Sequence, residues 1–290
     1  MFWNAKNGCV RIGDADMNYV SFGSGSDNLI MLPGLGDGLT TVKGMAFPMA
    51  LLYRMYAKAY KVFIFSRRND LKEGYSTRDM ARDQAEAMKM LGIKSANILG
   101  ISQGGMIAQY LAIDYPDLVE KLVLAVTLSK QNELIQNVVG NWISMAEHND
   151  YKNLMIDTAE RSYSERYLKR YRLLYPFLGI VGRPKDFSRF IIQAKSCIHH
   201  NACPELSKIL CPTLVIGGKC DKIVGVDASR EIADRIKFCE EYIYTQFGHA
   251  AYEEALDFNK KVLTFFVRIE VFCYENRMDT VPSLRKQNSK

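Results

Sequence analysis

Ser102 stands in Gly100-Ile101-Ser102-Gln103-Gly104-Gly105, between an apolar run at 96–99 and a second at 106–112. Read as strand, tight turn and helix, the Gly-x-Ser-x-Gly spacing is that of a nucleophile elbow. Such a turn strains the serine backbone, so only small residues fit two positions before and after it. Gly100 and Gly104 occupy those positions. The hydroxyl then sits at a helix N-terminus, beside backbone N–H donors, suited to attack a carbonyl carbon.

A serine hydroxyl needs a base, and the base needs an orienting carboxylate. Four histidines are available. His148 falls at a polar helix end, and His199 and His200 are adjacent in a helical stretch, so these three read as surface or lid residues. His249 follows a strand expected at 241–246, and Gly248 before it allows close approach to the elbow. It is the expected base. Asp221, between Ser102 and His249 in the chain and just past a strand expected at 213–217, is the expected acid. Asp227 is its rival, but its position suits the cap of a helix starting near Ala228.

Two backbone N–H groups should receive the oxyanion. One belongs to Gln103, first in its helix, and the other to Leu35 in Pro33-Gly34-Leu35-Gly36. Gly34, Gly36 and Gly38 also invite a dinucleotide-binding reading. Pro33 and Thr40-Thr41 do not open the required helix, and the later acidic residue is missing, so that reading is rejected.

The positioning elements follow from the apolar pattern. A hairpin is expected from strands at 9–12 and 17–22, then buried strands at 28–32, 61–65, 96–99, 121–126 and 213–217. Helices are expected at 49–57, 77–91, 228–236 and 257–274, with Asp79, Asp83 and Glu86 on the outer face of the second. Apolar strands alternating with helices predict an α/β fold, a mostly parallel sheet covered on both faces. From 129 to 206 the pattern is almost wholly helical. Sites in such sheets form at the carboxyl ends of strands, where this insertion is placed as a lid.

At 290 residues and 48% hydrophobic, the chain suits one large domain with an insertion. The expected division is a core of 1–128 and 207–276, a cap of 129–206 and a disordered tail of 277–290. No apolar run approaches the ~20 residues of a membrane span. The N-terminus lacks a signal-peptide pattern. Seven scattered cysteines, none as Cys-x-x-Cys, fit reduced thiols in the cytoplasm. The net charge of +6 gathers partly at 161–195 and reads as solvated helix faces. Tyr163, Tyr167, Tyr171 and Tyr175 recur every four residues and mark one helix face, not a platform for bases. Nucleic acid is not an expected partner, and the oligomeric state stays open.

Leu32-Pro33-Gly34-Leu35-Gly36, the Ser102 elbow, Gly218-Lys219-Cys220-Asp221 and Gly248-His249 together resemble the α/β-hydrolase fold superfamily, over nearly the whole chain. The resemblance implies an inserted helical cap, which the 129–206 segment matches. Pro33 stands where many members have histidine. Ser66-Arg67-Arg68-Asn69 stands where many have Asp-x-Arg-Gly. The expected activity is hydrolysis of a small or medium acyl substrate, a carboxylic ester first, through an acyl-enzyme on Ser102 and with no metal or organic cofactor. Trp142, Met145, Phe177 and Phe190 are the expected substrate contacts. Aminopeptidase, thioesterase and carbon–carbon hydrolase activities use the same triad, and a non-enzymatic small-molecule receptor uses the same scaffold.

Overall fold

The computed structural model of the chain describes residues 3–179 and 182–268. β1 (Lys6–Ile12) and β2 (Ala15–Phe22) form an opening hairpin, and β2 pairs antiparallel with β4 (Tyr60–Arg68). From there the sheet is parallel. β3 (Asp27–Leu32) lies between β4 and β5 (Ala96–Ile101), and β6 (Val119–Ala125), β7 (Thr213–Gly218) and β8 (Cys239–Tyr244) follow outward. The order is β1-β2-β4-β3-β5-β6-β7-β8. This is the α/β architecture that the alternation predicts. β5 is buried along its whole length, as a central parallel strand must be.

Between the strands run α1 (Ala46–Leu52), α2 (Thr77–Met90) and α3 (Gln103–Asp114). The stretch between β6 and β7 holds α4 (Glu133–Glu147), α5 (Tyr151–Ser162), α6 (Glu165–Tyr171) and α7 (Ser188–Ile198). The chain then continues through α8 (Val226–Ala233), α9 (Ala251–Glu254) and α10 (Phe258–Val267). One sheet face packs Met80, Met88, Ile107, Leu111 and Ile232 of α2, α3 and α8. The other packs Ala46, Ala50, Phe258, Val262 and Phe265 of α1 and α10. Full burial of each large apolar side chain stabilises the fold by roughly 1.5–3 kcal/mol, so these two layers fix the sheet.

The neck of the inserted helices is closed locally. Ala202 and Cys203 both donate to the Ser129 carbonyl, at 2.7 and 3.0 Å, beside a bridge between Lys130 and Asn201. The four tyrosines do not share one helix: Tyr163 ends α5, Tyr167 and Tyr171 lie on α6 and Tyr175 on the turn after it, yet their rings meet in a row, with Tyr163 stacked on Tyr167 at 4.3 Å between centroids.

Several boundaries differ from expectation for physical reasons. The helix expected at 49–57 spans Ala46–Leu52, because Pro48 fits a first turn, where its missing N–H has no helical partner to lose. The helix expected at 257–274 spans Phe258–Val267 and ends at Arg268, whose backbone is extended; 269–274 and the 277–290 tail lie outside the described residues. α2 opens with a capping box between Ser76 and Asp79. Asp83 does not lie on its outer face. It is buried, takes the Tyr75 hydroxyl at 2.8 Å, and burial pushes its pKa up to about 6.

His200 also departs from its surface reading. It is buried, with Nδ1 2.9 Å from Thr77 Oγ1 and Nε2 3.4 Å from Gln109 Oε1, and so links the insertion to α2 and α3. Burial pushes its pKa down to about 3 from the ordinary 6.5. The folded state therefore holds it neutral, while the unfolded chain takes up a proton below pH 6.5. Its contribution to stability is complete above that pH and is lost as pH falls toward 3. Urea midpoints measured between pH 7 and 3.5 should fall more steeply for wild type than for His200→Gln.

Candidate active site

The carboxyl end of β5 turns abruptly at Ser102, whose backbone sits at φ 53 and ψ −118. An L-residue adopts this geometry only under constraint. The Ser102 N–H donates to Ala125 O of β6 at 2.9 Å. Its carbonyl accepts from Gly105 N (2.8 Å) and from Thr127 Oγ1 (2.7 Å). α3 comes so close to β3 that a β-carbon at Gly104 would lie 1.9 Å from the Leu32 carbonyl oxygen.

His249 and Asp221 meet this serine from the ends of β8 and β7. Lys219 N donates to Tyr244 O at 2.8 Å and Cys220 N to Phe247 O at 3.0 Å, which draws the two loops together. Gly218 permits the contact, since a β-carbon there would stand 2.3 Å from Gly248 O. His249 Nε2 lies 3.0 Å from Ser102 Oγ, and His249 Nδ1 lies 2.8 Å from Asp221 Oδ2. A carboxylate acceptor assigns the proton to Nδ1, which leaves Nε2 free to accept from the serine. The second Asp221 oxygen takes the N–H groups of Ile223 (2.8 Å) and Val224 (3.0 Å). Burial acts to raise the Asp221 pKa, but His249 and these donors hold it below the ordinary carboxylate value. Asp227, the rival acid, is exposed in the first turn of α8, whose cap position is Gly225.

Leu35 and Gln103 each open a helical turn, so neither N–H has a partner within its own helix. Gly34 lies against the serine, where a β-carbon would be 3.3 Å from Ser102 Cβ. The strand ends thus gather Ser102, His249, Asp221, Leu35 and Gln103 in one place.

A cavity of about 460 Å³ opens over Ser102 and His249. Met45, Met49 and Tyr53 line it from the α1 side, and Trp142, Thr158 and Ser162 from the inserted helices. Trp142 is the one expected substrate contact found on its wall, its Nε1–H donating to Asp157 at 2.7 Å. Phe190 instead packs in the core beneath the inserted helices, and Met145 lies partly buried against it. Phe177 is 61% exposed on a 3-10 turn at Arg172–Phe177. Helix periodicity identifies apolar positions but not which neighbour each one meets. A larger cleft, about 1,020 Å³, lies between α6 and β8–α9 and holds neither Ser102 nor His249.

Three residues around the serine escaped the sequence reading. Thr127 braces the elbow, and Arg67 and Arg189 converge on Asp37 behind it. Arg189 belongs to the basic stretch expected to be solvated, yet its head turns inward. Thr127 had one legible signal, its place directly after β6 beside the elbow strand.

The chain has relatives. A family model described as alpha/beta hydrolase fold matches residues 28–256. The chain is 26% identical over 278 residues to a 2-hydroxy-6-oxononadienedioate/2-hydroxy-6-oxononatrienedioate hydrolase of a Pseudomonas species, covering 90% of this chain and 93% of that one. A mouse serine hydrolase is 25% identical over 226 residues, covering 74% and 70%. Among solved structures, the enol-lactonase of Burkholderia xenovorans superposes with a TM-score of 0.77 at 21% identity, over 90% of this chain and all of that one.

The packing behind the serine makes a stability prediction. Gly104→Ala forces a methyl into the Leu32 carbonyl and should cost about 3 kcal/mol. Gly140→Ala, in α4 with nothing within 4 Å of the added carbon, should stabilise by about 0.5–1 kcal/mol. Denaturant unfolding of the two variants should move in opposite directions.

Proposed function

Because the chain belongs to the alpha/beta hydrolase fold family, we propose that it is a serine hydrolase acting on a small or medium acyl substrate, a carboxylic ester first. The observation that carries the reading is the unbroken hydrogen-bonded line from Ser102 Oγ through His249 to Asp221, at 3.0 and 2.8 Å. In this reading Ser102 Oγ attacks the acyl carbon while His249 Nε2 takes its proton. Asp221, kept ionised, holds the imidazole in the tautomer required and stabilises the imidazolium. The carbonyl oxygen, now negative, rests on the N–H groups of Leu35 and Gln103. His249 returns its proton to the leaving alcohol, and water then releases the acyl group by the same path reversed.

We assign residues 129–206 as a cap over a core of 1–128 and 207–276. Trp142, Thr158 and Ser162 support this, since they close the cavity from the inserted side. A cytoplasmic setting suits the free thiols of Cys9, Cys197, Cys203, Cys220 and Cys239. No helix among the described residues is long and apolar enough to cross a membrane.

The cavity wall also bears on substrate charge. Among the described residues it carries no lysine or arginine, while Asp37 and Glu253 contribute carboxylates. An uncharged acyl group fits such a wall better than a dicarboxylate does, because a buried anion without a counter-charge is costly. A second reading, hydrolysis of a carbon–carbon bond beside a ketone, is favoured by the relatives named for 6-oxo dienedioates and uses the same triad.

Two measurements test the reading. Intact-mass labelling with a fluorophosphonate should add one adduct to wild type and none to Ser102→Ala, and the variant should lose at least about 10⁴-fold in kcat with its fold retained. Equal turnover by wild type and Ser102→Ala would refute the mechanism. Among substrates, neutral p-nitrophenyl esters should be turned over with higher kcat/KM than a 6-oxo dienedioate. The reverse order would favour the carbon–carbon reading.

A further inference from the structure

Behind the two expected oxyanion donors lies a buried polar cluster that the triad does not use. Arg67 is 1% exposed, at the inner end of β4. Its Nη2 donates to the Pro33 carbonyl and to Gln103 Oε1, the latter at 3.0 Å. Its own N–H donates to Asp37 Oδ2 at 3.0 Å. Pro33 and Asp37 stand two residues either side of Leu35, so the loop carrying one donor is clamped at both ends. The Gln103 side chain is held as well. Its Nε2 donates to Gln193 O (2.9 Å) and lies 3.4 Å from Ser196 Oγ, both on α7.

Arg189 of α7 completes the cluster. It pairs with Asp37 Oδ2 at 2.5 Å, donates to the Asp37 carbonyl, and reaches the carbonyls of Arg67 and Arg68, each at 3.0 Å. The Asp37 carboxylate is therefore paired with the Arg189 guanidinium and bonded to the Arg67 backbone N–H, while the Arg67 guanidinium donates to Pro33 and Gln103. Burial lowers the Arg67 pKa to about 10, which still leaves it charged at neutral pH. Burial opposes ionisation of Asp37 too, yet the two arginines hold its pKa below the ordinary value.

We propose that Arg67 is a positioning residue for the oxyanion hole: it holds the Leu35 loop and Gln103 in one frame, and Arg189 ties that frame to α7. The proposal rests on the serine-hydrolase reading of Ser102. It makes the hole a joint product of the core and the inserted helices. Its energetic effect falls on the tetrahedral state more than on bound substrate, because the donors meet full negative charge only there.

The test compares wild type, Arg67→Met, Arg67→Lys and Ser102→Ala with p-nitrophenyl butyrate, alongside binding of a trifluoromethyl ketone that forms a tetrahedral adduct. Thermal unfolding of each protein reports on its fold. Arg67→Met should lose about 10²-fold in kcat with KM changed less than about threefold, and should bind the ketone weaker by a similar factor. Arg67→Lys keeps the charge but lacks the planar fork, and should lie between, about tenfold down in kcat. A folded Arg67→Lys or Arg67→Met with wild-type kcat overturns the proposal, as does a loss that appears in KM alone. With Ser102→Ala inactive, such a result removes the Arg67 role and leaves the triad standing. Ser102→Ala turning over at the wild-type rate removes both.

Discussion

The backbone at Ser102 is the constraint on which the rest depends. A serine at φ 53 and ψ −118 costs on the order of 1–3 kcal/mol and persists only where its surroundings leave no alternative. Here β5 enters fully paired between β3 and β6, and α3 leaves with almost every residue buried. The Ser102 N–H and carbonyl are both engaged, by Ala125, Gly105 and Thr127. Relaxing the turn would break those bonds and lift α3 off the sheet. The strain is thus held by the central layers of the fold, which direct a reactive hydroxyl away from the core.

Two buried carboxylates then divide the electrostatic work. Asp221 is held by His249 and two backbone donors, and its charge is available to an imidazolium. Asp37 is held by Arg189 and the Arg67 N–H, and it tethers a loop. Each is kept ionised against burial by charge-assisted hydrogen bonds, which are stronger than neutral ones. In the proposed mechanism the same chemistry serves proton transfer on one side of Ser102 and loop geometry on the other. An unpaired carboxylate in either place would protonate and lose its role.

That Ser102, His249 and Asp221 would meet was legible because the position of each depends on topology. Ser102 and Asp221 follow strands buried throughout and His249 follows the outer strand β8, and parallel strands deliver their carboxyl ends to one edge of the sheet. The residues that resisted reading depend on tertiary neighbours instead. Arg67 looks like part of a polar turn, Ser66-Arg67-Arg68-Asn69, yet β4 continues through Arg68 and buries it. Nothing local announces that a residue 30 positions earlier, Asp37, awaits it. Phe177 and Phe190 are aromatic alike, but Phe177 stands exposed on a 3-10 turn while Phe190, on α7, packs inward against α4. His200 lay in a helical stretch beside exposed His199, and only the fold shows that Thr77 and Gln109 enclose it.

This division separates what the fold specifies from what it leaves free. The sheet, the elbow and the two loop ends can be read as one unit, since β5, β7 and β8 lead directly into Ser102, Asp221 and His249. The cavity wall is a second unit, drawn from α1, the Leu35 loop and the inserted helices, whose side chains can change without touching that geometry. In the proposed hydrolase, bond chemistry belongs to the first unit and substrate choice to the second. Gln103 and Asp37 are where the units meet. Gln103 neighbours the serine while its side chain is held by α7, and Asp37 borders both the cavity and the arginine pair. A movement of α7 would thus reach the Leu35 loop and the Gln103 side chain through these polar contacts, whereas Ser102, His249 and Asp221 are held by the strand ends.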